Sequence, residues 1–190
     1  STFNNISTFM HVYGSTTLTI DTCNFYDIDS YLVLTDSSAT ATVKNCEIRN
    51  KVMADHDWVF VIKATRTLNV YDTSFEKTCG VFNVAANAKA VLKGVEAKDI
   101  NGPLVQFAGD SSTVEMENVS AERTVTVVYN EKYCLTKLNI KNLSTKNCQI
   151  VINYNPNNNQ RGKSTVNIED SCFDTQRYGM NFGYMSNISN

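Results

Sequence analysis

The sequence predicts an all-β chain that winds into a right-handed parallel β-helix, or β-solenoid. About eight to nine coils are expected, each with three short strands in roughly 24 residues. Three observations lead to this prediction. A short apolar pattern recurs along the chain, a turn residue keeps one offset in most copies, and no useful stretch shows helical periodicity.

The repeat is clearest at residues 138–145. Leu138 and Ile140 alternate with polar residues, Asn142 interrupts the alternation, and Leu143 resumes it. Alternation with period two is the pattern of a half-buried strand. Asn, Asp and Gly adopt a left-handed backbone at low cost, so one of them can turn a strand sharply. The unit therefore predicts strand, turn and strand.

Residues equivalent to Ile140 recur and are expected to form one buried inner stack. They are Ile20, Val43, Val70, Leu92, Met116, Ile140 and Ile168, with weaker copies at Phe3 and Met185. The turn residues two positions later are Asn5, Thr22, Asn45, Asp72, Gly94, Asn118, Asn142, Asp170 and Asn187. Eight of these nine are Asn, Asp or Gly, a regularity that unrelated hairpins do not explain.

A third short strand precedes most of these units. Examples are Trp58-Val59-Phe60-Val61-Ile62 and Leu104-Val105-Gln106-Phe107. Pro103 opens its strand, where a missing N–H does least harm. No linker or composition shift divides residues 1–190, so we expect one β-helix domain, a segment or subunit of a longer rod or filament.

Composition excludes several classes of protein. Hydrophobic residues make up 42% of the chain, too many for a disordered chain, and the net charge of −2 provides no basic field for nucleic acid. No apolar run approaches the ~20 residues that span a membrane. The chain lacks an initiator Met and a signal peptide, so we expect a mature product or an excised piece.

The six cysteines suggest one candidate pair. Cys23 and Cys46 occupy the same position in neighbouring repeats, and stacked strands lie ~4.8 Å apart, within disulfide range. A stack of buried thiols is the open alternative, and the other four cysteines receive no partner. No CxxC occurs and the two histidines are far apart, so no zinc site is expected.

Three strands per coil with an Asn turn, as in residues 138–145, resemble the right-handed β-helices of the pectin-lyase-like superfamily over nearly the whole chain. This fold is shared by lyases, hydrolases, phage tailspikes, adhesins and surface proteins. Segments such as residues 41–48 also resemble β-helix regions of large secreted or surface proteins. The resemblance implies a secreted or cell-surface protein with a structural or adhesive role.

The resemblance also implies where catalytic groups should lie, namely on the outer side of the first strand of each coil. The residues predicted there are His11, Val33, Phe60, Asn83, Gln106, Thr126, Asn153 and Asn181. None is a carboxylate, whereas a glycosidase needs two, ~5–9.5 Å apart. The sequence therefore predicts no enzyme, and no catalytic, cofactor or metal-binding residue.

Two weaker candidates for a binding site remain. Asp55-His56-Asp57 could hold a metal or act as a base, but a solvated loop is the favoured interpretation, because the sequence offers no second set of ligands. The aromatic residues predicted to face outward could stack on sugars, or could be ordinary surface residues. They are Tyr31, Trp58, Tyr71 and Tyr129.

Four N-x-S sequons begin at Asn5, Asn118, Asn142 and Asn187, all on the predicted turn position. They are candidates for N-glycosylation if they face solvent. An inward Asn ladder would make them inaccessible.

The two ends of the chain resemble each other. Phe3-Asn4-Asn5-Ile6-Ser7 parallels Met185-Ser186-Asn187-Ile188-Ser189, and neither end offers a capping helix. We therefore expect a non-enzymatic extracellular solenoid that stacks head to tail with copies of itself or with adjacent β-helix segments. The partners could include N-glycans or surface polysaccharide, but no nucleic acid or membrane. The alternative is a carbohydrate-active or carbohydrate-binding β-helix whose site lies partly outside this segment.

Overall fold

A computed structural model describes residues 1–12, 14–29, 31–35, 39–51, 58–62, 66–130, 134–154, 164–182 and 186–189. These residues form twenty strands and no helix, so none of them belongs to a helix that could cross a membrane. The strands are β1 (Thr2–Ile6), β2 (Met10–Val12), β3 (Thr17–Asp21), β4 (Asn24–Ile28), β5 (Val33–Thr35), β6 (Thr40–Lys44), β7 (Glu47–Lys51), β8 (Trp58–Ile62), β9 (Thr67–Tyr71), β10 (Ser74–Glu76), β11 (Gly80–Val84), β12 (Lys89–Lys93), β13 (Glu96–Lys98), β14 (Pro103–Phe107), β15 (Ser112–Glu122), β16 (Thr126–Asn130), β17 (Thr136–Tyr154), β18 (Ser164–Glu169), β19 (Cys172–Phe182) and β20 (Ser186–Ser189).

Each strand pairs in parallel with its equivalent one coil later, which produces three faces. Face 1 stacks β2, β5, β8, β11, β14, β16, residues 150–154 and residues 178–182. Face 2 stacks β3, β6, β9, β12, residues 112–117, residues 136–141, β18 and β20. Face 3 stacks β1, β4, β7, β10, β13, residues 119–122, residues 143–146 and the start of β19. The prediction of a parallel β-solenoid with three strands per coil is confirmed.

The enclosed part of the solenoid is shorter than the predicted eight to nine coils. About six turns have a coil on both sides. The first coil (β1, β2 and β3) and the last coil (β19 and β20) each pair on one side only within the described residues. The two end coils account for the difference.

The predicted inner stack is confirmed on face 2. Its members follow one another in register as Ile20, Val43, Val70, Leu92, Met116, Ile140 and Ile168. The first six are buried, and Ile168 is half-buried next to the last coil. Aromatic rings fill the space opposite, where Phe82 stacks on Phe60 at 5.2 Å between ring centroids.

The predicted turn position is also confirmed for its seven internal members. Thr22, Asn45, Asp72, Gly94, Asn118, Asn142 and Asp170 all have φ between 45° and 63°. This left-handed backbone favours Asn, Asp and Gly, and the turn lies between faces 2 and 3.

A second left-handed turn, between faces 3 and 1, was not recognised in the sequence. Its members are Asn5, Asp27, Asn50, Lys77, Asp99, Arg123 and Asn147, with φ between 50° and 55°. Lys77 and Arg123 hide the pattern, because long side chains are unusual at positive φ, where they cost roughly 1–2 kcal/mol. Because of these two residues, the sequence at this corner shows no regular series of Asn, Asp and Gly.

The assignments at the two ends are wrong. Phe3 pairs with Phe25 on face 3, so Asn5 belongs to the second turn and not to the first. At the other end, Met185 lies outside the described residues, and Asn187 pairs with Thr165 within a strand of face 2. The two terminal segments therefore occupy different faces. A short pattern of apolar residues around Asn fits both turns, which explains the error.

Replacing Leu92 tests the inner stack. Leu92→Asp places a charge where Leu92 is fully buried between Val70 and Met116, so the free energy of unfolding should fall by more than about 3 kcal/mol. Thr113→Asp is the matched control, because Thr113 is half-buried and aligned between Lys89 and Lys137. Chemical denaturation should show a change within about 0.5 kcal/mol for this control. Equal stability of the two variants would contradict the register.

Candidate functional site

Face 2 carries a row of charges that alternate in sign along most of its length. The row consists of Asp21, Lys44, Tyr71, Lys93, Glu117, Lys141 and Glu169. Lys44 Nζ lies 3.0 Å from Asp21, and Lys93 Nζ lies 2.8 Å from Glu117. The hydrogen bond between the latter two raises the pKa of Lys93 and lowers the pKa of Glu117.

Face 3 and its turn show the same alternation. Arg49, Glu76, Lys98, Glu122 and Lys146 form one row, and Arg49 Nε lies 3.2 Å from Glu76. At the turn, Arg123 binds the Asp99 carboxylate with two nitrogens, at 2.6 and 3.0 Å, which lowers the pKa of Asp99. Opposite charges directly across neighbouring coils stabilise the observed pairing, whereas like charges at these positions would oppose it.

Face 1 differs from the other two in having no charged side chain in its strands. Residues 10–12, 33–35, 58–62, 80–84, 103–107, 126–130, 150–154 and 178–182 contain no Asp, Glu, Lys or Arg. Its outward row includes Val61, Asn83, Gln106, Tyr129, Asn153 and Asn181. Apolar, aromatic and amide groups therefore form this surface.

Three of the outward positions predicted for face 1 are wrong. Val33, Phe60 and Thr126 are buried, and the outward row has Val61 and Tyr129 in register where Phe60 and Thr126 were predicted. The reason is that each of the six enclosed coils buries two consecutive residues at the start of face 1, for example Val59 and Phe60. Simple alternation assumes one, so it exchanges Phe60 for its neighbour Val61, whereas Thr126 lies three residues before Tyr129, at the start of β16. The corrected row still contains no carboxylate.

A groove of about 700 Å³ lies on face 1. Its lining residues are Tyr31, Trp58, Val61, Asn83, Pro103, Gln106 and Tyr129. Three of the four aromatic residues singled out in the sequence thus come together here. Tyr71, the fourth, lies in the charged row of face 2.

Gly80 lies beneath Trp58, one of the residues that line this groove. A Cβ at Gly80 would lie 2.5 Å from ring atoms Cε3 and Cζ3 of Trp58, so only glycine permits the indole to lie over the next coil. Trp58 is consequently 8% exposed, although it lines the groove. Sequence analysis missed Gly80, since its role depends on a residue 22 positions earlier in the neighbouring coil.

This lining consists of aromatic, apolar and amide groups. It offers aromatic and apolar surface with two amide side chains, and none of its residues is a carboxylate or a base. Across the part of the chain that the structure describes, no group of three or more His, Cys, Asp or Glu is placed to hold a metal ion. The candidate Asp55-His56-Asp57 lies outside the described residues.

The candidate cysteines stack as predicted at the turn between faces 2 and 3. Both are free thiols in the structure, as in the alternative of stacked thiols. Cys23 Sγ donates to the carbonyl oxygen of Asp21 at 3.3 Å, and Cys46 Sγ to that of Lys44 at 3.1 Å. Burial raises the pKa of the Cys46 thiol, which lowers its reactivity. The disulfide stays a prediction.

The sequons occupy different environments. Asn118 and Asn142 are exposed on the first turn, where Asn142 Nδ2 donates to Asn118 Oδ1 at 2.7 Å. Their amides thus form an outward ladder rather than an inward one. Asn5 is exposed on the second turn, and Asn187 lies within β20.

Comparisons of the chain with protein-family models, curated proteins and solved structures give no match. Functional conclusions therefore depend on the faces, the groove and the ends of the solenoid.

The carboxyl group of Asp21 tests how closely consecutive coils interact. Hydrogen bonds from Asn45, Lys44 and Thr22 lower its pKa from 3.8 to about 2. Because the folded pKa is below its ordinary value, the stabilisation is present above pH 3.8 and is lost as the pH falls towards 2. We expect Asn45→Ala to raise the pKa of Asp21 in an NMR titration. Asn118→Ala, a substitution at the same turn position far along the rod, should leave it unchanged, and an identical shift in both variants would contradict the contact.

Proposed function

We propose that this chain is a non-enzymatic structural unit of an extracellular or cell-surface rod or filament, in which solenoids stack end to end. The proposal includes kinship with pectin-lyase-like solenoids of the structural or adhesive kind, supported by the three-strand coil and its Asn turn. Residues that align from coil to coil and point inward form columns along the solenoid. The observation that supports the proposal is that these inner columns end in partly exposed apolar residues at both ends of the rod.

At the first coil, the exposed end is aromatic. Phe3 and Phe9 are half-buried, and their ring centroids lie 4.9 Å apart. Both contact Phe25 of the next coil, at 5.2 and 4.8 Å. Met10 and Leu18 are also only partly buried here, because no coil covers them in the described chain. Such a surface favours contact with another apolar surface.

The last coil presents a similar end. Met180 is 48% exposed and Tyr178 is 55% exposed, and these are the exposed large hydrophobic residues among the described ones. Phe173 and Phe182 are half-buried. The apolar core thus continues to the surface at this end as well.

The two ends match column by column. Met10 and Met180 lie in the same inward column of face 1. Phe3 and Phe173 lie in the same inward column of face 3. Head-to-tail stacking would therefore continue each column, placing methionine near methionine and phenylalanine near phenylalanine. The edge strands would also pair their free N–H and C=O groups.

Charge does not oppose this contact. Asp21 is the one charged residue in β1, β2 and β3, and β19 contains one Asp and one Arg, while β20 contains none. The covering coil can come from a copy of this chain or from an adjacent β-helix segment. Such a contact joins the first coil of one unit to the last coil of another. Further units can therefore be added, and a filament forms instead of a closed oligomer.

End-to-end stacking should be visible by electron microscopy and sedimentation velocity. We expect particles to lengthen with concentration in steps of about 40 Å, the rise of some eight coils at ~4.8 Å each. Met180→Lys places a charge on the exposed column end and should shift the material to single units. Met180 is half-exposed, so the fold should persist.

Gln106→Lys is the control, because it adds the same charge to the side of a middle coil. Single units of the unchanged protein at high concentration would contradict the proposal. Equal dissociation by Gln106→Lys would contradict the end-to-end geometry.

The groove on face 1 favours a second candidate function, carbohydrate binding. Aromatic rings stack on the apolar faces of sugars, and amides exchange hydrogen bonds with their hydroxyl groups. Tyr31, Trp58 and Tyr129 supply the rings, and Asn83 and Gln106 supply the amides. The uncharged face suits neutral sugars better than acidic ones.

Trp58 is the sole tryptophan of the chain, so its fluorescence reports on the groove directly. We expect neutral oligosaccharides to change its emission, and Gln106→Ala to weaken that response. Tyr71→Ala, on face 2, is the control and should leave it intact. Unchanged emission with both neutral and acidic oligosaccharides at millimolar concentration would exclude this candidate.

A further inference from the structure

Two of the sequons lie directly above one another. Asn118-Val119-Ser120 and Asn142-Leu143-Ser144 are in adjacent coils, with Val119 aligned to Leu143 and Ser120 to Ser144. The central residues are buried, at 1% exposure each, whereas the Asn and Ser of both sequons are exposed. The fold thus presents both acceptor groups to solvent on the same side of the rod.

The two amides are in contact. Both asparagines have φ 54°, so their side chains leave the backbone in the same direction, and Asn142 Nδ2 donates to Asn118 Oδ1 at 2.7 Å. The oxygen and nitrogen of one amide lie about 2.2 Å apart, so the two Nδ2 atoms are separated by no more than about 5 Å. These nitrogens are the atoms to which an N-glycan attaches.

We propose that Asn118 and Asn142 form one N-glycosylation site, which carries a single glycan in the folded protein. The proposal depends on the extracellular location proposed above. In the transfer, Nδ2 loses a proton to solvent and bonds to C1 of the first sugar, while the bond from C1 to the diphosphate of a lipid-linked oligosaccharide breaks. The diphosphate leaves with the bonding electron pair.

A glycan on either residue leaves the contact between the amides intact, so the exclusion of a second glycan comes from crowding. Glycosylated Asn142 retains one hydrogen on Nδ2 for donation, and glycosylated Asn118 retains Oδ1 as the acceptor. Two glycans would have to leave from neighbouring nitrogens and run side by side. Both chains would then lose conformational freedom and hydration, which opposes folding of the doubly modified chain.

Asn5 provides an internal comparison. It is exposed and has the same backbone conformation, with φ 53°, but its neighbour in the adjacent coil is Asp27. No second sequon crowds it in the described coils. Its occupancy should therefore be independent of the other two sites.

The test is expression of the full chain through a eukaryotic secretory pathway, followed by intact mass spectrometry and glycopeptide mapping of the folded fraction. We expect molecules glycosylated at Asn118 or at Asn142, and loss of the form that carries both. Ser144→Ala should raise occupancy at Asn118, and Ser120→Ala should raise occupancy at Asn142. Neither substitution should alter occupancy at Asn5.

Folded molecules with glycans on both asparagines would overturn the proposal, and so would molecules with neither. Electron microscopy of the same material separates this result from the structural function. Rods that carry glycans on both Asn118 and Asn142 would refute the single-glycan proposal but not end-to-end stacking. Single units that carry one glycan on these two residues would refute end-to-end stacking but not the single-glycan proposal.

Discussion

The parallel hydrogen bonding of each coil to the next is the interaction on which the rest of this structure depends. It fixes a rise of about 4.8 Å and places every residue on its equivalent in the neighbouring coil. A property of one residue therefore becomes a property of a whole column. Columns of apolar residues form the core, and columns of residues with a left-handed backbone form the corners. Columns of charged residues are stable where their signs alternate.

This rule gives the three faces different uses. Faces 2 and 3 carry charges of opposite sign in neighbouring coils, as in the pairs Lys93–Glu117 and Arg123–Asp99. Face 1 has no such pairs, and its surface is aromatic, apolar and amide-bearing. The absence of a side chain at Gly80 lets Trp58 lie across two coils there. Charged contacts between coils therefore belong to faces 2 and 3, whereas the described strands of face 1 present uncharged groups.

The same rule makes the ends of the rod unlike its sides. A column such as the one from Met10 to Met180 is buried in the middle and partly exposed at its two ends. In the described chain, no further coil covers this column at either end. The buried interior and the partly exposed apolar ends are therefore consequences of one arrangement, and the stacked sequons Asn118 and Asn142 show that surface chemistry follows it too.

The sequence by itself determined the solenoid, the inner stack from Ile20 to Ile168, and the first turn, because each depends on spacing along one coil. Tertiary structure decided what lies between coils. It assigned Phe3 and Asn187 to other faces, revealed the turn through Lys77 and Arg123, and moved Phe60 inward. It also brought Trp58 onto Gly80. The repeat determines which residues point inward within one coil. Contacts between coils also depend on bulges and corners, where the alternation of inward and outward residues shifts by one.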